Sequence, residues 1–342
     1  MRRISLCIFI IALPLYSIFS QGLNIPAKNW GLSFGNSTRF DGIRFNLIDK
    51  DIEKINGINF NVWGAKDESR QTGTVNGISI GIPAAVGTDY RNGINIGLFG
   101  AGARQDMNGI NLGGLGVGAG NNLKGINIGL LGVGSGNDLY GINLGGLGAG
   151  AGNDVKGITF GILGAGAGND MMGVNIGGLG VGAGGTLAGI NIGGLGVGAG
   201  GDVVGLNFGG LAVGSGGSVK GISMSILAVG SGEQVAGISL AGLAVAAPKI
   251  NGLQSALIVG GEQVKGISIA PAYFRIEGME GYMKGISVSA FNHVQGDVFG
   301  VCIGIFNWAY AVRGFQLGVL NHVKSNPKGL RWLPIFNTSF GS

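Results

Sequence analysis

The chain has 342 residues, 75 of them glycine, and its 22 basic and 17 acidic residues leave a formal charge of +5. Hydrophobic residues reach 45% and charged residues only 11%, which excludes a disordered chain, because such chains are charge-rich and poor in aliphatics. The glycines do not recur at every third position, which excludes collagen, and the weak, dispersed positive charge excludes a nucleic-acid partner.

Residues 1–20, "MRRISLCIFIIALPLYSIFS", read as a secretory signal: two arginines, an apolar run too short for a typical span, then a small residue before Gln21. Cys7 lies inside that run without the surroundings of a lipid-attachment site. After cleavage Cys302 is the remaining cysteine, so no internal disulfide is expected. Residues 21–76 are irregular and more charged, and Trp30 and Trp63 are expected to close an open apolar end.

Residues 77–251 are strictly repetitive. A Gly-Ile-Asn-like unit begins at Gly77 and recurs every 16 residues through Gly237. Looser copies begin at Gly42 and Gly57 before the block, and at Gly252, Gly266, Gly285, Gly300 and Gly314 after it. One repeat array is expected, with atypical end units.

Numbering each unit from its first glycine, aliphatic residues fall at positions 2, 4, 7, 9 and 15, with phase slips after 4 and after 11. No straight strand places all five on one face. A chain that turns at each slip does, and glycine suits the corners. The expected fold is all-β, a β-solenoid of about eighteen 14–20-residue coils. In the unit at Gly189 the expected core residues are Ile190, Ile192, Leu195, Val197 and Val203. Position 3, Asn95, Asn111, Asn127, Asn143, Asn175, Asn191 and Asn207, is expected to face outward or into a corner, with amides hydrogen-bonded from coil to coil. The rival is a transmembrane β-barrel with one strand per unit, which requires unbroken alternation.

Residues 252–342 hold degenerate repeats and an aromatic end, where Trp308, Phe315, Trp332 and Phe336 are expected to cap the last coil; an aromatic membrane or partner-contact patch is the alternative. The units "GINIGGLGVGAG" and "GINLGGLGAGAG", behind a signal-like segment and before "GFQLGVLN…NPKGLRWLPIFN", resemble the glycine-rich surface repeat-containing proteins of spirochaetes and Bacteroidota. The resemblance covers roughly residues 42–340; it implies a cell-surface or outer-membrane location and brings no catalytic residues.

No constellation for chemistry emerges. Asp138, Asp154, Asp170 and Asp202 recur at multiples of 16, superficially like calcium-binding repeats, but one carboxylate per coil is thin for an ion that takes 6–8 oxygens. No P-loop Lys-Ser/Thr follows the glycines. His293 and His322, in "FNHV" and "LNHV", read as equivalent packing positions, and Cys302 lacks a paired base. Catalytic, cofactor-binding and metal-ligating residues are therefore expected to be none, and no cofactor or small-molecule substrate is expected. The expected function is noncatalytic: an exported, cell-surface structural or adhesion-like repeat protein whose partner is an outer-membrane, cell-envelope or host-surface component. The alternative is an outer-membrane barrel acting as a channel.

Overall fold

A computed structural model describes residues 22–340. The segment read as a secretory signal lies outside the described residues. The described chain is all-β apart from two short 3-10 turns, and it divides into two compact units between Ala165 and Gly166. Both are β-solenoids built from the same coil.

Each regular coil has a seven- or eight-residue strand and a shorter strand, of four residues in the coils from Gly93 to Gly221. In the first unit, Leu123–Gly129 pairs in parallel with Leu139–Gly145, rung on rung: Leu123 with Leu139, Gly125 with Gly141, Asn127 with Asn143. Gly132–Ser135 pairs likewise with Gly148–Ala151. In the second unit, Leu187–Gly193 lies against Val203–Gly209 and Gly196–Ala199 against Ala212–Ser215. Every partner is one sequence repeat away. The turns stack too: Leu131 N–H donates to the Leu115 carbonyl and Leu147 N–H to that of Leu131, both at 2.7 Å.

Two glycine positions enforce this path. The first glycine of each unit has positive φ, +117° at Gly125, and an added Cβ there would lie 2.0 Å from the Gly109 carbonyl oxygen. The fifth closes the turn to the short strand: a Cβ on Gly113 would lie 2.0 Å from the Gly116 carbonyl oxygen. At Gly125 and Gly113 a side chain would require the backbone to move, although the fifth position tolerates a small side chain where Ser225 and Ala241 replace the glycine.

The solenoid matches the expected fold, but its long strand is inside out relative to the expected core. In the coil at Gly189, Val197 and Val203 are buried as expected, at 3% and 0% exposure. Ile190, Ile192 and Leu195 face outward, at 40%, 37% and 51%, while Asn191 is fully buried. The reason is phase. The long strand starts at position 14 or 15, and the residue at position 15 is buried, a Leu, Val or Met in the coils from Gly93 to Gly221 and Arg91 in the coil at Gly77. Strict alternation from there puts positions 1, 3 and 5 inside and 2 and 4 outside. Glycine at 1 and 5 keeps the interior narrow, leaving room for one side chain from position 3, one from position 9 and one from position 15.

The buried amides satisfy one another along the stack. Asn95 Nδ2 donates to Asn111 Oδ1 at 2.8 Å, Asn111 to Asn127 at 2.7 Å and Asn127 to Asn143 at 2.8 Å. In the second unit Asn175 donates to Asn191, and Asn191 to Asn207, both at 2.9 Å. All donate in the same direction, so the leading oxygens, Asn95 Oδ1 and Asn175 Oδ1, are buried without a partner. The expected ladder forms, on the opposite side of the strand from the expected one.

The barrel alternative is overturned. Its strands would run antiparallel to their neighbours, one per unit; here each unit folds into two strands, each parallel to its counterpart in the next unit. The channel reading falls with it. Antiparallel pairing occurs instead at the ends: Leu23–Ile25 on Trp30–Phe34, and Trp332–Asn337 on the 42-residue strand Tyr282–Val323. A rung the repeat pattern missed, Gly31, pairs with Gly42. Trp30 and Trp63 do not close the amino-terminal core, since both side chains are exposed; Phe40, Ile52, Ile55 and Val75 fill it.

Candidate functional site

The outward face of the coil is the most distinctive surface. From the coil at Gly93 to that at Gly237, positions 2 to 11 carry no Asp, Glu, Lys or Arg. In the first unit this arc displays Phe99, Leu115, Leu130, Leu131, Leu147 and Leu163 at the turn between the two strands, all exposed. The second unit displays Leu179, Leu195, Leu211, Ile226, Leu227 and Leu243 in the same way. Beside this turn the long strand adds its outward isoleucines, such as Ile110, Ile126 and Ile142. Soluble monomers rarely leave contiguous apolar surface on this scale, which marks contact sites.

The charges gather on the other edge, at positions 12 to 16. Lys156 Nζ reaches Asp154 at 3.0 Å and Lys220 Nζ reaches Asp202 at 2.7 Å. Each coil from Gly93 to Gly237 therefore has one polar edge and one aliphatic edge, with the long strand's outward aliphatic side chains and the short strand between them.

The recurring aspartates stitch neighbouring coils together. Asp106 Oδ1 accepts the Asn122 N–H at 3.0 Å, Asp170 Oδ1 the Thr186 N–H at 2.8 Å and Asp202 Oδ1 the Ser218 N–H at 2.8 Å. Asp138 accepts from Tyr140, from Asn153 and from the Asp154 N–H. Burial pulls Asp138 upward, but those hydrogen bonds outweigh it and hold its carboxyl below the usual value. The hydrogen bond from Lys220, then that from the Ser218 backbone, lowers Asp202. The spacing of 16 that looked like a thin ligand set is the spacing of successive turns. Among the described residues, no three His, Cys, Asp or Glu side chains gather closely enough to hold a metal.

The histidines do share a row. Arg275 pairs with His293 in register, and the His293 ring meets Trp308 edge-on at 5.0 Å. Trp308 stacks on His322 at 5.6 Å, and His322 contacts Trp332 at 4.3 Å. Tyr273 Oη lies 2.9 Å from His293 Nδ1. Burial, then Arg275, lowers the His293 pKa; burial, then Arg331 and Lys324, lowers that of His322. The sequence equivalence of the two histidines thus has a structural basis, with Trp308 between them, and Trp332 joins from the final antiparallel strand. Phe336 of that strand meets Phe315 at 6.1 Å.

Cys302 occupies the inner position that asparagine fills elsewhere, and burial, partly offset by a hydrogen bond with Ser287, pushes its thiol up to about 12. It is not poised as a nucleophile. Comparison with family models, with curated proteins and with solved structures finds no match to this chain.

Proposed function

We propose that the protein is a noncatalytic structural repeat protein of the cell surface or outer membrane, and that it lies against an apolar layer of the envelope with its aliphatic edge. The carrying observation is the segregation within each coil: every charge between Gly93 and Pro248 lies at positions 12 to 16, while leucines crowd the opposite turn. An interfacial element needs this division, an apolar side against the acyl region and a polar side in water. The backbone meets the same requirement, because neighbouring coils satisfy the strand N–H and C=O groups. The resemblance to surface repeat-containing proteins and the signal-like leader point to the same location. The aromatic row around Trp308 and Trp332 suits the headgroup level, where such rings concentrate.

The test is flotation of the full-length mature chain with phosphatidylethanolamine–phosphatidylglycerol vesicles. The chain should float with the vesicles, remain bound in high salt, and lose binding when Leu131 and Leu147 are both changed to Asp. Salt-sensitive binding that survives the double change would assign attachment to charge and reject the proposal. Self-association without vesicle binding would assign the aliphatic edge to a second copy instead.

A further inference from the structure

The amino-terminal unit carries a cavity that the repeat pattern alone does not explain. Between Phe34 and Ile82 the outer surface of the solenoid is hollowed into a trough of about 680 Å³, within the size range of small-molecule sites. Its floor is a run of rings from successive coils. Phe34 stacks on Phe45 at 5.5 Å and 13°, and Phe45 on Phe60 at 4.8 Å and 4°. Its walls include Leu47, Val62 and Ile82, all exposed in the free chain.

The wall residue Leu47 belongs to the 46–50 segment, whose short strand Ile48–Asp49 pairs in parallel with Trp63–Gly64 of the next coil. The segment is fixed from inside: the buried Asp49 carboxylate accepts from Arg44 Nη1 at 2.6 Å and from Asn59 Nδ2 at 3.0 Å, and Arg91 Nη2 lies 3.5 Å away. The hollow is thus a built feature of the unit. The polar side chains in the lining are mostly engaged by the protein itself. Asn46 Nδ2 donates to the Ile48 carbonyl and Asn36 Nδ2 to that of Lys50.

One charged side chain lines the trough, Lys50, and no carboxylate does. Its acidic neighbours are committed elsewhere, Asp49 to Arg44 and Asp51 to Arg70. None of the ion pairs among the described residues uses Lys50.

We infer that this trough binds a single unbranched acyl chain that ends in an anionic group, with the chain along the phenylalanine floor and the anion on Lys50. A long aliphatic wall with one cation at a fixed place is complementary to that amphiphile. A planar aromatic ligand fits less well, because the central ring of the floor, Phe45, already stacks on both Phe34 and Phe60. The inference does not depend on the membrane reading, since the trough stands on its own residues.

The test uses full-length mature protein without vesicles, titrated with oleate by displacement of a fluorescent polyene fatty acid, and in parallel with oleyl alcohol. Saturable binding of one oleate per chain is expected. Lys50→Gln should weaken oleate by about tenfold, the loss of one charge-assisted contact, and leave oleyl alcohol unchanged. Val62→Trp, which fills the trough from an exposed position, should abolish binding of both while circular dichroism stays that of the parent. Competition by lysophosphatidylglycerol stronger than by oleate identifies a membrane lipid as the source of the chain, and the reverse a free fatty acid; either supports the site. Absence of saturable binding, equal effects of Lys50→Gln on oleate and oleyl alcohol, or full binding by Val62→Trp would overturn it. Leu131→Asp/Leu147→Asp, which fails in flotation if the membrane reading holds, should bind oleate normally, so the two proposals fail separately.

Discussion

Arg44 Nη1 donates to Asp49 Oδ1 across 2.6 Å, and both side chains are fully buried. Arg44 stands where regular coils carry asparagine, and Asp49 lies on the short strand Ile48–Asp49 at position 8, where regular coils carry glycine or alanine, so one ion pair converts the inner ladder into an anchor for an outer wall. Asp49 also serves Arg91, whose guanidinium meets Ser79 Oγ and donates to the Val86 carbonyl. Burial lowers the Arg91 pKa, and the Asp49 charge partly restores it.

Replacing Asp49 by Asn leaves two buried guanidinium groups without a counter-charge. Breaking a buried pair in this way costs about 3–5 kcal/mol. Denaturant unfolding should report that loss in the amino-terminal unit, and amide exchange should rise first over residues 46–50.

The inverted long strand makes a sharp mutational contrast. Asn127→Ala strands the Asn111 amide and the Asn143 oxygen inside the coil, at about 1–3 kcal/mol for each group. Ile126→Ser, one residue away on the outer surface, should cost well under half as much. Thermal unfolding of the two variants side by side checks the order, which a core built on position 2 would reverse.

Glycines in the same coil should differ as strongly. Gly125→Ala places a Cβ against a carbonyl oxygen at 2.0 Å with φ at +117° and should prevent the coil from stacking. Gly134→Ala meets its nearest neighbour at 3.8 Å and should change stability by no more than about 0.5 kcal/mol. Expression and circular dichroism separate the two outcomes.

The aromatic row predicts a pH dependence of the carboxy-terminal unit. His293 and His322 have folded pKa values below the ordinary 6.5, so below that pH the unfolded chain binds protons that the folded row resists. Stability should hold above about pH 6.5 and fall as pH drops through the folded values. Melting temperatures between pH 7.5 and 5 measure the slope, and His293→Gln/His322→Gln should flatten it.

Much of this architecture is legible in the chain. The 16-residue spacing, the change of direction inside each unit and the burial of positions 9 and 15 follow from the phase slips and the glycines. The facing of positions 2, 3 and 4 does not. A seven-residue strand such as Leu187–Gly193 alternates equally well with Ile190 and Ile192 inside or with Leu187 and Asn191 inside. Hydropathy favours the first, and the choice turns on a three-dimensional fact, the narrow gap that Gly189 and Gly193 leave. The Asp49 anchor was hidden for another reason: its partners, Arg44, Asn59 and Arg91, lie at unequal separations and belong to no motif. The aspartate row was visible as a spacing, but its role needed the backbone N–H of the next turn.

The most direct measurement places an environment-sensitive fluorophore on single introduced cysteines, Leu131→Cys on the aliphatic edge and Asn137→Cys on the polar edge, with the buried Cys302 as silent background. Without vesicles both probes should report water. With phosphatidylethanolamine–phosphatidylglycerol vesicles the probe at 131 should shift to the blue and be quenched by brominated acyl chains, and the probe at 137 should do neither. A probe at 131 already shielded in the vesicle-free protein would contradict the outward leucine edge, and identical responses at both positions would contradict its seat against an apolar layer.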